Sequence, residues 1–188
     1  NNNYNPYFLA NRRYDMIAGT IVAFFGYQSP VCKNEIRGAV QMTVASADSV
    51  CISEKHDISL LKLKQAPPEE YQPFYLGWTV TSSTEAPFRG IHHPNGGNKK
   101  VAQENDALVF GSFTNIGYNM EPNSHWAVRS WDMGATEGGS SGSPLLDKNK
   151  RIVGTLTGGE SMCLHPHGIA LYASLHKAWN VNNQLGNP

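Results

Sequence analysis

Neither sign of charge dominates this sequence: fifteen Lys and Arg offset fifteen Asp and Glu over 188 residues. Without a basic or acidic excess, the signature of a nucleic-acid binder or of attachment to an anionic membrane is missing. Long hydrophobic runs are missing as well. None approaches the roughly 18 residues that cross a bilayer, so no membrane insertion is expected. No secretory leader is visible, and a mature or truncated chain would show none. Cysteine is scarce and odd in number, three in all. In an exported protein that implies a free thiol, a partner on another chain or a missing segment; reduced cytosolic thiols are the alternative. Histidine is absent before His56. Neither His92, His93 and His125 nor His165 and His167 stand at zinc-type spacing with cysteines, so neither a metal nor a cofactor is expected. Amphipathic helical stretches and internal repeats are also lacking.

What is present is glycine, proline and short apolar runs. Eighteen Gly and eleven Pro punctuate the chain, and the spacing predicts an all-β sandwich or barrel of one-domain size. Strands are predicted at Tyr7–Leu9, Met16–Tyr27, Ala39–Ala45 and Asp57–Leu63. Ala66-Pro-Pro-Glu-Glu70 breaks structure and begins a connection between two halves. Phe74–Trp78 is short and aromatic. Phe88 onward reads as a strand running into an Asn95-Gly96 turn, with Lys99–Gln103 returning antiparallel. Leu108–Phe113, His125–Trp131, Arg151–Gly159 and Gly168–Ser174 complete the pattern, and the tail from Trp179 carries no signal.

The chain is organised around Glu137-Gly-Gly-Ser-Ser141-Gly-Ser-Pro144. Glycines around one serine permit a tight turn that an ordinary side chain would obstruct. Such a turn can aim backbone N–H groups into a small concavity, which predicts Ser141 as an exposed nucleophile with the amides of Gly139 and Ser141 facing an oxyanion. A Gly/Ser-rich surface turn is the plain alternative. Gly138 to Gly142 formally matches the Gly-x-Ser-x-Gly elbow with Ser140 as nucleophile, but that elbow needs a helix after it, and Pro144 and a hairpin follow instead. A subtilisin-like order, Asp57 then His92 or His93 then Ser141, can also be written.

Gly-x-Ser-Gly-x-Pro followed by a Gly-Gly-terminated strand resembles the nucleophile loop of chymotrypsin-like serine proteases. His56-Asp-Ile-Ser-Leu-Leu-Lys-Leu63 resembles the strand start that carries their triad aspartate. Phe25-Gly-Tyr-Gln-Ser-Pro-Val-Cys32, Gly77-Trp78 and Ile91-His-His-Pro-Asn-Gly-Gly-Asn-Lys-Lys100 narrow the likeness to bacterial lysyl endopeptidases. The resemblance implies two antiparallel β-barrels, about 1–66 and about 73–188, truncated at both ends here, with the active site between them. It implies hydrolysis of a protein or peptide substrate in an extracellular, cell-surface or periplasmic setting. Asp57 is then the buried acid, Ser141 the nucleophile, Gly139 and Ser141 the oxyanion donors, and Thr157, Gly158, Gly159 and Glu160 the substrate pocket. Cys32 would pair with Cys51, leaving Cys163 without its partner.

Three departures stand beside this likeness. Tyr7-Phe-Leu-Ala-Asn-Arg-Arg13 resembles the run that carries the catalytic histidine, yet Arg12 or Arg13 occupies the imidazole's place. A guanidinium stays protonated and cannot accept the serine proton. His56 is expected to face away from Asp57, as neighbours on a strand do. Loss of the base costs about 10⁶ in kcat and leaves about 10³-fold over water. Two readings follow: a silent relative that holds a peptide or a partner subunit in the cleft, or a stretch near residues 10 to 14 that departs from the natural sequence. Ser140 stands where trypsin carries an aspartate. Cys163-Leu-His-Pro-His-Gly168 lacks the carboxylate by which lysine-selective relatives choose their substrate, and Thr157 replaces a histidine found beside that pocket.

Overall fold

The structure, a computed structural model, describes residues 13–31, 36–115 and 117–181. The strand predicted at Tyr7–Leu9 lies outside them. Residues 13–18 form a helix, α1, before the short strand β1 (Val22–Phe24), where the sequence predicts one strand over Met16–Tyr27. The helix is closed by local bonds, Gly19 N–H to Asp15 O and Thr20 N–H to Ile17 O. Its apolar residues do not cross a core: Ala18 is buried while Met16 and Ile17 stay exposed.

Strand β2 (Thr43–Ala45), shorter than predicted, pairs antiparallel with β1. β3 (Ala47–Ser53) and β4 (Ile58–Leu63) form a second antiparallel pair. The predicted strand start at Asp57 is corrected by one residue. Asp57 ends the connecting turn in a left-handed conformation (φ 50°), which an aspartate tolerates better than most side chains. Phe74–Trp78 makes only an isolated bridge, Trp78 to Ile152, and Phe74, Tyr75 and Trp78 face solvent.

The second half is built from β5 (Phe88–His92), β6 (Lys100–Glu104), β7 (Val109–Gly111), β8 (His125–Val128), β9 (Pro144–Leu146), β10 (Ile152–Gly159) and β11 (Ala170–Ser174). They form one antiparallel sheet in the order β6-β5-β9-β10-β11-β8-β7. Its core takes its shape from alternation. Phe88, Gly90 and His92 are the inward residues of β5, and Phe88 is fully buried among Trp126, Leu145, Val153 and Tyr172. β8 and β11 are buried on both faces, as strands covered from two sides must be. A helix, α2 (Leu175–Val181), follows β11 in the tail.

The halves meet along a seam. Cys51 of β3 and Ile58 of β4 pack with Ala173 of β11 and Ala178 of α2. This corrects the expected Cys32–Cys51 disulfide: Cys51 is a buried free thiol turned into that seam, and Cys32 lies outside the described residues. Burial pushes the Cys51 thiol above its usual pKa. Cys163 is an exposed free thiol.

Candidate active site

Each candidate side chain is fixed by a local device. The turn carrying Asp57 is clamped three times. Glu121 N–H donates to Lys55 O at 2.9 Å, Ser53 Oγ bonds His56 Nδ1 at 2.9 Å, and Tyr14 Oη of α1 donates to the Glu54 carboxylate. His56 does turn away from the cavity, but as a buried turn residue rather than as a strand neighbour. Asp57 itself is exposed on the cavity wall, not buried as the resemblance implies, because it sits at the end of a turn rather than inside a strand.

The serine loop runs from β8 to β9. Gly139 (φ 85°) and Gly142 (φ 81°) bracket Ser141 in left-handed conformations. A Cβ at Gly139 would lie 3.3 Å from the amide nitrogens of Asn95 and Gly96, so this position needs glycine for space as well as for torsion. Ser140, buried, hydrogen-bonds His92 Nδ1 at 2.9 Å and accepts from Glu137 N–H at 3.2 Å. Glu137 accepts from Cys163 N–H at 3.0 Å and from the Asn95 side chain. These bonds, led by that from the Cys163 backbone, hold its carboxyl below the usual range. Ser141 is exposed, and its hydroxyl donates to Thr157 O at 3.3 Å. Among the described residues no acceptor engages the amide of Gly139 or of Ser141.

Asp57 and Ser141 face one cavity of about 770 Å³, together with Thr157, Gly158, Gly159 and Glu160. A second cavity of about 360 Å³ shares Ser141, Gly158 and Gly159 and is lined further by Glu137 and Met162. Asp57 from the turn before β4, Ser141 from the serine loop and Thr157, Gly158, Gly159 and Glu160 from the end of β10 and just after it thus line one crevice, while Gly139 is not among its lining residues. Arg13 is an exposed residue of α1, and Arg12 lies outside the described residues.

Sequence reasoning missed three participants. Glu137 was not assigned a role, and His92 was weighed only in a subtilisin-like order and as a metal candidate, although both lie in the blocks that carry the resemblance. His125 was noted only as a metal candidate; it is fully buried, with Nε2 3.0 Å from Thr157 Oγ1 and Nδ1 2.9 Å from Ser124 Oγ. Among the described residues no three His, Cys, Asp or Glu side chains gather as a metal site requires.

His56, His92 and His125 are each held below the usual imidazole pKa of 6.5, chiefly by burial. Neighbours modulate this. Glu121 raises His56, Glu137 raises and His93 lowers His92, and Asp57 raises while His56 lowers His125. Between the depressed native pKa and 6.5 the unfolded chain binds protons that the native chain refuses. Stability is therefore full above pH 6.5 and falls as pH drops below it, by at most about 1.4 kcal/mol per pH unit for each histidine. Urea unfolding between pH 7.5 and 5 is expected to show this decline, with a shallower slope in His92→Asn. A flat profile would contradict the burial of these rings.

An antiparallel β architecture with a glycine-bracketed serine and an aspartate across a crevice is that of the chymotrypsin-like proteases. The chain matches the family described as lysyl endopeptidase, C-terminal domain, over residues 1–172, and it belongs to that family. It is 31% identical over 157 residues to a lysyl endopeptidase of Pseudomonas aeruginosa, covering 79% of this chain and 32% of the relative. The chain thus spans about a third of that relative's length. Among solved structures, the active form of the Rv3671c protease of M. tuberculosis superposes with a TM-score of 0.53 at 18% identity, covering 97% of this chain and 86% of that one. An inactive form gives 0.51 at 17% identity, covering 97% and 95%. At these identities the superpositions speak for the fold. No helix among the described residues is long and apolar enough to cross a membrane.

Proposed function

We propose that this domain binds a protein or peptide substrate in the crevice between its halves and hydrolyses it slowly through an acyl-enzyme at Ser141. One observation carries the reading: Asp57 and Ser141, 84 residues apart in sequence (141 minus 57), line the same cavity. The unengaged amides of Gly139 and Ser141 suit a developing oxyanion, and preorganised donors of this kind are worth about 10² to 10³ in rate. Thr157, Gly158, Gly159 and Glu160 form the pocket wall. In this reading residues of about 1–66 and 73–188 are the two barrels, and the setting is extracellular, at the cell surface or periplasmic, with no nucleic-acid partner.

Rate is limited by the base. Ser141 Oγ donates to a carbonyl and touches no imidazole among the described residues. That observation supports a second reading, a catalytically inactive module that uses the same cleft to hold a peptide or partner subunit. A fluorophosphonate probe separates the two. Label on the peptide that carries Ser141, lost from that peptide in Ser141→Ala, together with slow hydrolysis of a peptide library, is the expected result. Folded protein that binds peptides by calorimetry and takes no label at Ser141 would replace the first reading with the second.

A further inference from the structure

Of the hydroxyl-bearing residues that line the cavity with Asp57 (Ser112, Thr114, Tyr118, Ser141 and Thr157), Thr157 is the one with a hydrogen bond to an imidazole among the described residues. Ser141 Oγ–H points at the Thr157 carbonyl, which accepts no proton. Thr157 Oγ1 lies 3.0 Å from His125 Nε2.

The proton arrangement in this pair follows from its far end. Ser124 Oγ donates its single hydrogen to Glu121 O at 2.6 Å. In its 2.9 Å contact with His125 Nδ1 it can therefore only accept, so Nδ1 carries the ring proton. Nε2 is then the lone-pair nitrogen, and Thr157 Oγ1–H donates to it. The ring is fully buried, and these contacts at its two nitrogens favour this tautomer. Burial holds the His125 pKa below the usual imidazole value, which keeps the ring neutral, and the Asp57 charge offsets part of that lowering.

Backbone geometry aims the threonine. The register of β10 against β11 shifts between Leu156 and Gly158, so Thr157 is the extra residue of a β-bulge. Bulges re-aim side chains beside active sites. Without the shift, strand alternation would give Thr157 a regular cross-strand partner. With it, Thr157 lines the cavity while its hydroxyl reaches His125 on β8.

We propose that Thr157 is a second nucleophile of this domain, with His125 as its general base and Ser124 and the Glu121 carbonyl as the orienting pair. A hydroxyl donating to a neutral, oriented imidazole is the arrangement that activates nucleophilic alcohols. In the step, Thr157 Oγ bonds to the electrophilic centre of an ester-like or activated acyl or phosphonyl group. His125 Nε2 takes the hydroxyl proton, and the bond to the leaving group breaks. The proton then returns to an acyl group's leaving atom, and water reverses the sequence.

The proposal goes beyond the Ser141 reading, and the two are separated by where a fluorophosphonate lands. Attack forms the Oγ–P bond, expels fluoride and leaves the proton on His125. Trypsin cuts after Arg129, Lys148, Arg151 and Lys177 place Ser141 in the 130–148 peptide and Thr157 in the 152–177 peptide. The expected result is label on the 152–177 peptide, assigned to Thr157 by fragmentation. Thr157→Ser is expected to keep it. Thr157→Val and His125→Asn are expected to reduce it by about 100-fold or more, the scale of general-base assistance. Near-ultraviolet circular dichroism and the urea midpoint report whether each variant is folded. Label on the 130–148 peptide alone overturns this proposal and leaves the Ser141 reading standing. No label on wild-type protein with an intact unfolding transition overturns both.

Discussion

Returning an imidazole at position 12 or 13 is expected to raise peptide hydrolysis at Ser141 by about 10³-fold or more, because the base accounts for up to about 10⁶ in such sites. The substitutions are Arg12→His and Arg13→His, made separately, since Tyr7-Phe-Leu-Ala-Asn-Arg-Arg13 allows either register. The placement has structural support. Tyr14, the next residue, donates from α1 to Glu54, three positions before Asp57 on the same turn. Tyr14 of α1 is thereby tied to the turn that carries the acid. Initial rates on a fluorogenic peptide library measure the effect, and Ser141→Ala in the rescued background should abolish it. If neither histidine variant gains activity while both remain folded, Asp57 and Ser141 are not the remnants of one catalytic group.

Phe88→Ala is expected to cost about 3–5 kcal/mol, the range for removing a buried phenyl ring. Phe88 is completely buried in the larger core, in one cluster with Trp126, Leu145 and Tyr172. Domains of this size hold only about 5–15 kcal/mol in total, so the loss is a large share of what keeps the chain folded. The effect should reach the site. β5 is hydrogen-bonded to β9, which follows the serine loop, and it ends at His92, the partner of Ser140. A lowered urea midpoint together with weaker probe labelling is the expected pair of observations. An unchanged midpoint would mean that the ring is not packed as described.

The site was legible in the sequence where chemistry and local conformation coincide. Ser141 sits between glycines whose left-handed torsions no other residue adopts as cheaply, so the turn announced itself. Asp57 was assigned through the resemblance of the run from His56 to Leu63, and its exact backbone state was not legible, since alternation cannot distinguish a strand's first residue from the turn before it. The apolar run at Met16–Tyr27 carries residues compatible with either helix or strand, and the bonds that close α1 at Gly19 decided between them. β3 escaped notice because Ala47-Asp-Ser-Val-Cys-Ile-Ser53 is mostly small and polar; its pairing with β4 makes it a strand. His125 and Thr157 are 32 positions apart, and His92 and Ser140 are 48 apart. Contacts across such distances leave no periodicity for a single sequence to display.

The long bond from Ser141 to the Thr157 carbonyl bears on how the domain rests between encounters. A neutral hydrogen bond contributes about 0.5–1.5 kcal/mol net, and at 3.3 Å this one belongs at the weak end. The nucleophile is parked rather than locked. A turn about one side-chain torsion frees it, so the serine's posture is a small barrier beside the want of an imidazole acceptor for it among the described residues.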